Sequence, residues 1–380
     1  MRFLHLGDLH IGKHVMDFPM IEDQRYILGQ ILEIARERSV DMLLLAGDIY
    51  DRAIPSEEAV ALFDEFIRKA VGQGLKICVI SGNHDSEERL SFGSSLFEES
   101  GLYICGKYDG NLRCHTFRDA YGPLSVYLLP YVKTSLVRHF FPEEEIDSCD
   151  EAVGCILQHA AIDKGQRNIL LAHQFVAGKA QEIRLAGSEN MAILNVGTVD
   201  QIGWDHFEDF DYTALGHIHS PQRVGKDTIR YAGSPLKYSV REAGDKKSVP
   251  LVELKEKGNV TVELIPLVPR HELRHIRGTL QQLAENVTDP EDYIFASLTD
   301  EEPVINALGI LRAEYPNLIH MEIEEQKSER EGEEDQGKLP ENLTFHEILQ
   351  EFYQDMYGQE IPEGEEKIME RLAKEAGILL

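Results

Sequence analysis

Apolar runs and amphipathic stretches alternate through the first two thirds of the chain. Short apolar runs at residues 3–6 and 42–46 predict buried strands, while apolar residues at helical spacing predict amphipathic helices at 21–36 and 56–71. Further buried strands are predicted at 77–80, 169–171 and 212–215. Alternating strands and helices are typical of an α/β fold with layered sheets and helices.

A short polar block follows each of these predicted strands. In chain order the blocks are Asp8-Leu9-His10, Gly47-Asp48, Gly82-Asn83-His84-Asp85, Ala172-His173-Gln174 and Gly216-His217-Ile218-His219. A buried strand fixes the side chain at its end, and sites in open α/β sheets form outside the carboxyl ends of strands. We therefore expect the five blocks to meet at one site.

The blocks supply carboxylates, imidazoles and an amide, which together suit two adjacent divalent ions that act on a phosphoester. Asp48, at a strand end, is the natural bridging ligand. Asp8 and His10 would bind one ion together with either His217 or His219. Asn83 and His173 would bind the second ion together with the other of these two histidines. Mixed oxygen and imidazole ligands fit manganese, iron, zinc or cobalt better than calcium. The predicted ligands are Asp8, His10, Asp48, Asn83, His173, His217 and His219.

His84 directly follows a predicted ligand, so we do not expect its ring to bind the same ion. We predict that it donates a proton to the leaving oxygen, and that Asp85 fixes its tautomer and orientation. Asp51 and Arg52 lie shortly after Asp48, and the sequence leaves open whether they support the ligands from behind. Candidate phosphate contacts are Lys13, Arg52, Arg89, Lys133, Lys179, Arg184, Lys237 and Arg241.

A chain of 380 residues is too long for one hydrophobic core. Alternating apolar residues at 251–268 predict a strand pair that ends a first domain, 1–268. Residues 269–323 contain no such polar block and predict a small α/β capping domain, with helices at 280–286 and 303–314 and strands at 294–298 and 318–323.

The last part of the chain differs in composition from the rest. Residues 324–340 are mostly charged and predict an acidic linker. Residues 341–380 predict two amphipathic helices, the first begun by a capping box of Thr344 and Glu347. Their apolar faces must be covered either by another protein or by this chain.

The net charge of −29 at first argues against a nucleic-acid partner. However, 18 acidic and 6 basic residues lie between Glu322 and Leu380, and charges more than about 10 Å apart are largely screened at moderate salt. The chain opens with a strand rather than a signal peptide and contains no long apolar run. We therefore predict a cytoplasmic protein with no membrane span.

The polar blocks resemble the signature of the calcineurin-like metallophosphoesterases over residues 1–265. Longer runs at 1–12, 47–51, 171–175 and 231–239 resemble the SbcD family of bacterial nuclease subunits, and this resemblance covers the whole chain. It implies a four-layer α/β/β/α metallophosphoesterase sandwich with a small capping domain and a helical tail. Archaeal and eukaryotic counterparts often place a histidine where this chain has Asp51, which leaves the role of that position open.

The resemblance also implies a ligand set and partners. It implies two manganese ions, with His84 assisting catalysis. It further implies a homodimer, an SbcC-type coiled-coil ATPase that receives the tail, and exonuclease and hairpin-opening endonuclease activity on DNA ends in repair and recombination. The alternatives are a small-molecule phosphodiesterase or phosphatase and a scaffold without activity. The implied ligands are Asp8, His10, Asp48 and His219 for the first ion, and Asp48, Asn83, His173 and His217 for the second.

Overall fold

A computed structural model describes residues 1–178, 183–187, 201–300 and 304–324, together with residues 350, 361, 362 and 369. The chain divides into two compact units, Met1–Glu325 and Gln326–Leu380, and almost all described residues belong to the first. The two predicted tail helices, apart from residues 350 and 369, and most of the predicted linker lie outside the described residues. No helix in the described part of the chain is long and apolar enough to cross a membrane.

Two six-stranded sheets form the centre of the first unit. In spatial order the first sheet contains β16 (Val260–Pro266), β15 (Ser248–Leu254), β1 (Arg2–Leu6), β4 (Met42–Ala46), β5 (Lys76–Ile80) and β6 (Leu102–Cys105). The second contains β13 (Gln222–Val224), β14 (Lys226–Tyr231), β12 (Tyr212–Gly216), β9 (Arg167–His173), β8 (Gly122–Leu129) and β7 (Arg113–Asp119). Two short ribbons pair β2 (His14–Val15) with β3 (Phe18–Pro19) and β10 (Val176–Ala177) with β11 (Ile202–Gly203). The predicted strand pair at 251–268 is confirmed as β15 and β16, which pair antiparallel.

Helices cover the outer face of each sheet. On the first sheet lie α1 (Ile21–Glu37), α2 (Glu57–Gly72), α3 (Glu87–Leu90) and α4 (Ser94–Phe97), and on the second lie α5 (Thr134–Phe140) and α6 (Cys149–His159). The hydroxyl oxygen of Ser56 caps α2, so this helix begins where the sequence predicts. Short 3-10 turns occur at Glu98–Ser100, Trp204–Phe207 and Val240–Glu242.

The central strands are buried on both faces. Leu43 and Leu45 of β4 pack in the core shared with α1 and α2, whereas Met42 and Leu44 pack in the core between the sheets. Because successive side chains of a strand point to opposite faces, burial on both faces requires an unbroken apolar run. A third core lies between the second sheet and its helices. The predicted four-layer α/β/β/α fold is confirmed.

A three-stranded parallel sheet follows, with β17 (Leu273–Gly278), β18 (Tyr293–Leu298) and β19 (Leu318–Ile323). Helices α7 (Leu280–Glu285) and α8 (Ala307–Glu314) pack on it and enclose a core of their own. We refer to residues 269–323 as the capping domain, and its boundary at 268 stays a prediction.

Candidate metal centre

Strands of both sheets end at one edge of the sandwich, and this edge carries the predicted ligands. In the first sheet β1, β4 and β5 run parallel, and Asp8, Asp48 and Asn83 follow their carboxyl ends. In the second sheet β9 and β12 run parallel, with His173 at the end of β9 and His217 directly after β12. The predicted ligands are therefore brought together from two sheets.

Glycines allow the two sheet edges to approach each other. A Cβ atom on Gly216, in the second sheet, would overlap the carbonyl oxygen of Ala46 in the first. A Cβ atom on Gly82 would overlap the carboxylate of Asp48. Any other residue at either position would force the ligands apart.

Four predicted ligands have an unusual backbone conformation. The φ angles of Asp8, His10, Asp48 and His217 are 52°, 44°, 50° and 102°. Positive φ in a residue other than glycine costs on the order of 1–3 kcal/mol, and such residues cluster at functional sites. Backbone hydrogen bonds hold the first loop against the second, since the amide of Asp8 donates to Gly47 (3.1 Å) and that of His10 donates to Asp48 (3.0 Å).

Asp8, His10 and His219 form what we call the first half-site. One ligand atom from each lies within 4.8 Å of the other two. Nε2 of His10 is 3.0 Å from Nε2 of His219, so two imidazole nitrogens face each other in a buried space. Nδ1 of His10 has no hydrogen-bond partner among the described residues.

Asn83, His173 and His217 form the second half-site. Oδ1 of Asn83 is 3.1 Å from Nε2 of His173 and 3.0 Å from Nδ1 of His217. Nδ1 of His173 must donate its hydrogen to the carbonyl oxygen of Ala46, 2.8 Å away, because that oxygen can only accept. When the ring is neutral, this bond leaves the lone pair on Nε2 of His173, on the side of Asn83, as a metal ligand requires.

Asp48 lies between the half-sites, with Oδ2 3.5 Å from Nε2 of His10 and 3.4 Å from Nε2 of His173. Burial raises the pKa of Asp48, but the charge of His173 and its hydrogen bond outweigh burial and hold that pKa well below its usual range. Burial lowers the pKa of His173, but the Asp48 carboxylate raises it to about 9. Burial dominates at His10 and His217 and lowers the pKa of each to about 3, so both rings are neutral at pH 7, the form that binds metal.

His84 lies beside the first half-site and Asp48. One of its ring nitrogens is within 4.8 Å of ligand atoms of His10 and Asp48, and its ring meets that of His10 edge-on with centroids 4.8 Å apart. Nδ1 of His84 donates to the carbonyl oxygen of Asp51 at 2.9 Å. A backbone carbonyl therefore sets the orientation of His84.

Asp85 does not orient His84 as we predicted, because its carboxylate is engaged elsewhere. It accepts hydrogen bonds from the amides of Gly82 (2.9 Å), Tyr50 (3.0 Å) and Ile49 (3.1 Å). Burial and the nearby Asp48 raise its pKa to about 6, against the lowering effect of these amides. Asp85 therefore ties the turn after β5 to the turn after β4, which positions two ligand loops.

Asp51, whose role the sequence left open, lies behind the first half-site. Its Oδ1 is 2.7 Å from Nζ of Lys13 and 3.7 Å from Nδ1 of His10. The side chain of Arg52 is 80% exposed, and its Nε is 3.7 Å from Oδ2 of Asp51. Asp51 thus adjoins a predicted ligand, while Arg52 faces solvent.

One candidate phosphate contact is wrong. Nζ of Lys237 is buried, donates to the carbonyl oxygen of Ala243 at 2.7 Å and lies 2.9 Å from the carboxylate of Glu272. Arg184 pairs with Asp245 at 3.1 Å, and Lys179 lies outside the described residues. The exposed candidates are Arg52, Arg89, Lys133, Arg184 and Arg241.

Sequence reasoning also missed a buried lysine behind the first half-site. Nζ of Lys247 donates to the carbonyl oxygen of His219 (2.8 Å) and to Oγ of Ser234 (2.9 Å), and it pairs with Glu242 (2.5 Å). A lone lysine in a strand region is usually solvated, so a single sequence gives no signal for this role.

Comparison with solved structures finds distant neighbours. One is the anchor protein GAP50 of the inner membrane complex of Plasmodium, 11% identical, with 86% of this chain and 98% of that chain covered and a TM-score of 0.41. Another is a dimetal phosphatase from Danio rerio, 12% identical, with 70% and 96% covered and a TM-score of 0.40.

Sequence comparisons identify the family. The model of the calcineurin-like phosphoesterases matches residues 1–221, and the model described as the type 5 capsule protein repressor C-terminal domain matches residues 269–357. The SbcD subunit of the nuclease SbcCD from Staphylococcus epidermidis is 30% identical over 327 residues, with 84% of each chain covered. The chain therefore belongs to the calcineurin-like phosphoesterases and, within them, to the SbcD family.

Proposed function

We propose that this chain is the nuclease subunit of an SbcC-type ATPase complex and hydrolyses phosphodiester bonds at DNA ends and hairpins with two divalent ions. The observation that carries the proposal is a pair of half-sites that share Asp48, with His84 beside them. The SbcD-family relative supports DNA as the substrate.

The donor set fits divalent metal ions. In the first half-site two imidazole nitrogens face each other at 3.0 Å, an arrangement in which at most one neutral ring can donate. Nδ1 of His10 is also buried and has no hydrogen-bond partner among the described residues, which is costly in the absence of a ligand. In our proposal the first half-site would hold one manganese ion and the second half-site another, and Asp48 would serve as a ligand in both. Such ions neutralise the charge that develops on phosphate oxygens during an in-line displacement.

His84 acts as the general acid in this proposal. Its Nδ1 hydrogen is held by the carbonyl oxygen of Asp51, so the proton that leaves is the one on Nε2 of the imidazolium ion. Donation to the departing sugar oxygen leaves a neutral imidazole whose orientation does not change. General acid catalysis of this kind contributes about 10²–10⁴-fold to the rate.

We propose that the DNA backbone contacts the exposed cations around the site, among which Arg52 is nearest in sequence to the ligands. We further propose that residues 341–380 bind the coiled coil of the ATPase, because both predicted helices are strongly amphipathic. Deletion of these residues is expected to abolish co-purification with the ATPase, while Mn²⁺ binding by the remaining chain stays unchanged.

A homodimer is part of the proposal, and an exposed apolar surface supports it. Phe92 is 82% exposed and lines an apolar groove between α2 and the segment that contains α3 and α4, and Leu96 of α4 is 76% exposed. Large exposed apolar groups of this kind mark protein interaction sites. Sedimentation should show that Leu96→Asp converts a dimer to a monomer, whereas exposed Tyr121→Asp leaves the dimer intact.

One assay tests the proposed activity. The purified chain is given Mn²⁺ with linear duplex DNA, a DNA hairpin or a chromogenic phosphodiester, with and without an SbcC-type ATPase. We expect cleavage of both DNA substrates that depends on Mn²⁺ and is stimulated by the ATPase with ATP. Fast cleavage of the chromogenic ester without any DNA cleavage would instead indicate a small-molecule phosphodiesterase.

A further inference from the structure

Two pairs of neighbouring residues lie between the capping domain and the loop that carries His10. One pair is Asp23 and Gln24, in the first turn of α1, and the other is Lys237 and Tyr238, in the segment before β15. All four side chains are buried, with exposed fractions between 2% and 9%. In each pair one residue contacts the capping domain and its neighbour contacts the ligand loop.

The capping-domain contacts come from Asp23 and Lys237. Oδ1 of Asp23 accepts from the amide of His271 at 3.2 Å and from its Nδ1 at 3.0 Å. Oδ2 of Asp23 accepts from the hydroxyl of Tyr293, in β18, at 2.9 Å. Nζ of Lys237 lies 2.9 Å from the carboxylate of Glu272. Charge-assisted bonds of this kind are the stronger class of hydrogen bond and are little screened where they are buried.

The ligand-loop contacts come from Gln24 and Tyr238. Nε2 of Gln24 donates to the carbonyl oxygen of His10 at 2.7 Å, and Oε1 accepts from the amide of Gly12 at 2.9 Å. The hydroxyl of Tyr238 donates to the carbonyl oxygen of Leu9 at 2.7 Å and accepts from Nε2 of Gln24 at 3.0 Å. These bonds satisfy both carbonyl oxygens and an amide of the loop backbone, at and beside the predicted ligand His10.

The loop needs this support because its backbone is strained. His10 has a φ of 44°, and a residue in that region persists only where its surroundings hold it there. The ring of Tyr238 also packs edge-on against the ring of His10, with centroids 6.0 Å apart, and lies 6.3 Å from that of His219. Tyr238 therefore contacts both imidazoles of the first half-site as well as the backbone of its loop.

The second half-site is supported differently. His173 bonds to the carbonyl oxygen of Ala46 in β4, and the hydroxyl of Tyr231 donates to the carbonyl oxygen of Gln174, the next residue in the chain. Both contacts lie within the two central sheets. The capping domain thus has short hydrogen-bonded connections to the loop of one half-site, while the described supports of the other come from the sandwich.

We propose that Gln24 and Tyr238 are positioning residues for the first half-site. We further propose that Asp23 and Lys237 couple the metal affinity of this half-site to the position of the capping domain. The inference rests on the two-ion site proposed above. A displacement of the capping domain would move α1 and the segment around Tyr238, and would loosen the ion held by His10 and His219 before the ion held by Asn83.

Three tyrosine-to-phenylalanine variants of the full chain test this inference, because each removes one hydroxyl from a buried ring. Tyr238→Phe removes the hydroxyl bond to the ligand loop, and Tyr293→Phe removes one of the three bonds between the capping domain and Asp23. Tyr315→Phe is the matched control, since its hydroxyl donates to the carbonyl oxygen of Leu283 inside the capping domain at 3.2 Å. Calorimetric titration with Mn²⁺ measures the two affinities, and anomalous scattering at limiting Mn²⁺ shows which half-site empties.

We expect Tyr238→Phe to lower the Mn²⁺ affinity of the first half-site about 3- to 10-fold, the effect of one or two neutral hydrogen bonds. Tyr293→Phe should lower the same affinity by a smaller factor, and Tyr315→Phe should leave the affinity of both half-sites unchanged. In the metal-free chain, hydrogen exchange at residues 9–13 should be faster in Tyr238→Phe and in Tyr293→Phe than in the wild type.

The possible failures are distinguishable. If Tyr238→Phe lowers the Mn²⁺ affinity of both half-sites equally, or of neither, the positioning role is overturned. If Tyr293→Phe behaves like Tyr315→Phe in both measurements, the connection to the capping domain is wrong. Wild-type protein that binds fewer than two Mn²⁺ ions would overturn the proposed function and this inference with it.

Discussion

Strands β1 and β9 have a buried polar cluster at each end, and the two clusters are built differently. At the amino ends, the guanidinium group of Arg167 bonds to the carboxylate of Asp119 at 2.6 Å and 3.1 Å and to the carbonyl oxygen of Lys255 at 2.8 Å. The amine of Met1 binds the same carboxylate at 2.8 Å. At the carboxyl ends lie Asp8 and His173, in the candidate metal centre.

The difference lies in how each cluster satisfies its polar atoms. At the amino ends donors meet acceptors, so the cluster is complete as it stands and joins the two sheets by itself. At the carboxyl ends imidazole, carboxylate and amide groups converge on one buried space, where Nε2 of His10 lies 3.0 Å from Nε2 of His219 and Nδ1 of His10 has no hydrogen-bond partner among the described residues. A polar cluster that is complete without a ligand stabilises the fold, whereas a buried group of metal-ligand atoms that is not fully paired is suited to bind a cation.

The largest expected effect is a loss of catalysis without a loss of metal binding, when His84 in the carboxyl-end cluster is replaced. We expect His84→Gln to lower kcat on DNA by about 10²–10⁴-fold, equivalent to about 3–5 kcal/mol in the barrier, because the general acid is lost. Mn²⁺ affinity should change little, since both half-sites keep their ligands. Single-turnover cleavage and calorimetric titration measure the two quantities. Exposed His139→Gln is the control, and full activity of His84→Gln would refute the role.

The next effect concerns the amino-end cluster. Arg167→Met should lower the free energy of unfolding by about 3 kcal/mol, because it leaves the Asp119 carboxylate with fewer partners in a largely buried place. Urea unfolding in the presence of a chelator measures this change. The matched control, Arg68→Met, removes an exposed arginine paired with Asp64 and should have almost no effect. Mn²⁺ affinity should be the same in all three proteins.

Asp48→Asn should chiefly change the stabilisation by Mn²⁺, which Arg167→Met leaves unchanged. With a chelator present, its free energy of unfolding should fall, because the Asp48 carboxylate pairs with the ring of His173. With Mn²⁺ at 100 times its Kd, the wild type should gain about 2.7 kcal/mol and the variant much less. A variant that gains as much from Mn²⁺ as the wild type would mean that Asp48 does not hold the ions.

The smallest expected effect is on acid stability. Burial raises the pKa of Asp119, but its bonds to Arg167 and to the terminal amine lower that pKa well below its usual value of about 3.9. A lowered pKa in the folded state means that the stabilisation is complete above about pH 4 and is lost as the pH falls further. Asp119→Asn should therefore show a shallower loss of stability below pH 4 than the wild type, and an equal slope would contradict this assignment.

Features that depend on local sequence pattern were predictable. Residues 42–46 form a strand with the predicted bounds because both faces are buried, and the polar residue after each such strand reaches the site. In the capping domain, α8 begins at Ala307 rather than at the predicted 303, after Asn306 with a φ of 57°. Strand β17 was missed because only two of its six residues, Leu273 and Ile276, are large and apolar.

Features that depend on distant backbone groups were not predictable. The partner of His84 is a carbonyl oxygen, which every residue carries, so the sequence favoured the neighbouring Asp85 instead. Arg167 meets a carboxylate 48 positions earlier in the chain, and Gln24 reaches carbonyl oxygens in a loop that only the fold places beside α1. Such contacts are set by tertiary packing and leave no local pattern.

The most direct test of the two-ion site is an anomalous difference map from crystals of the full chain grown with Mn²⁺. We predict two peaks, one on each side of the Asp48 carboxylate, with the first near His10 and His219 and the second near Asn83 and His173. A single peak, or peaks away from Asp48, would contradict the proposed site.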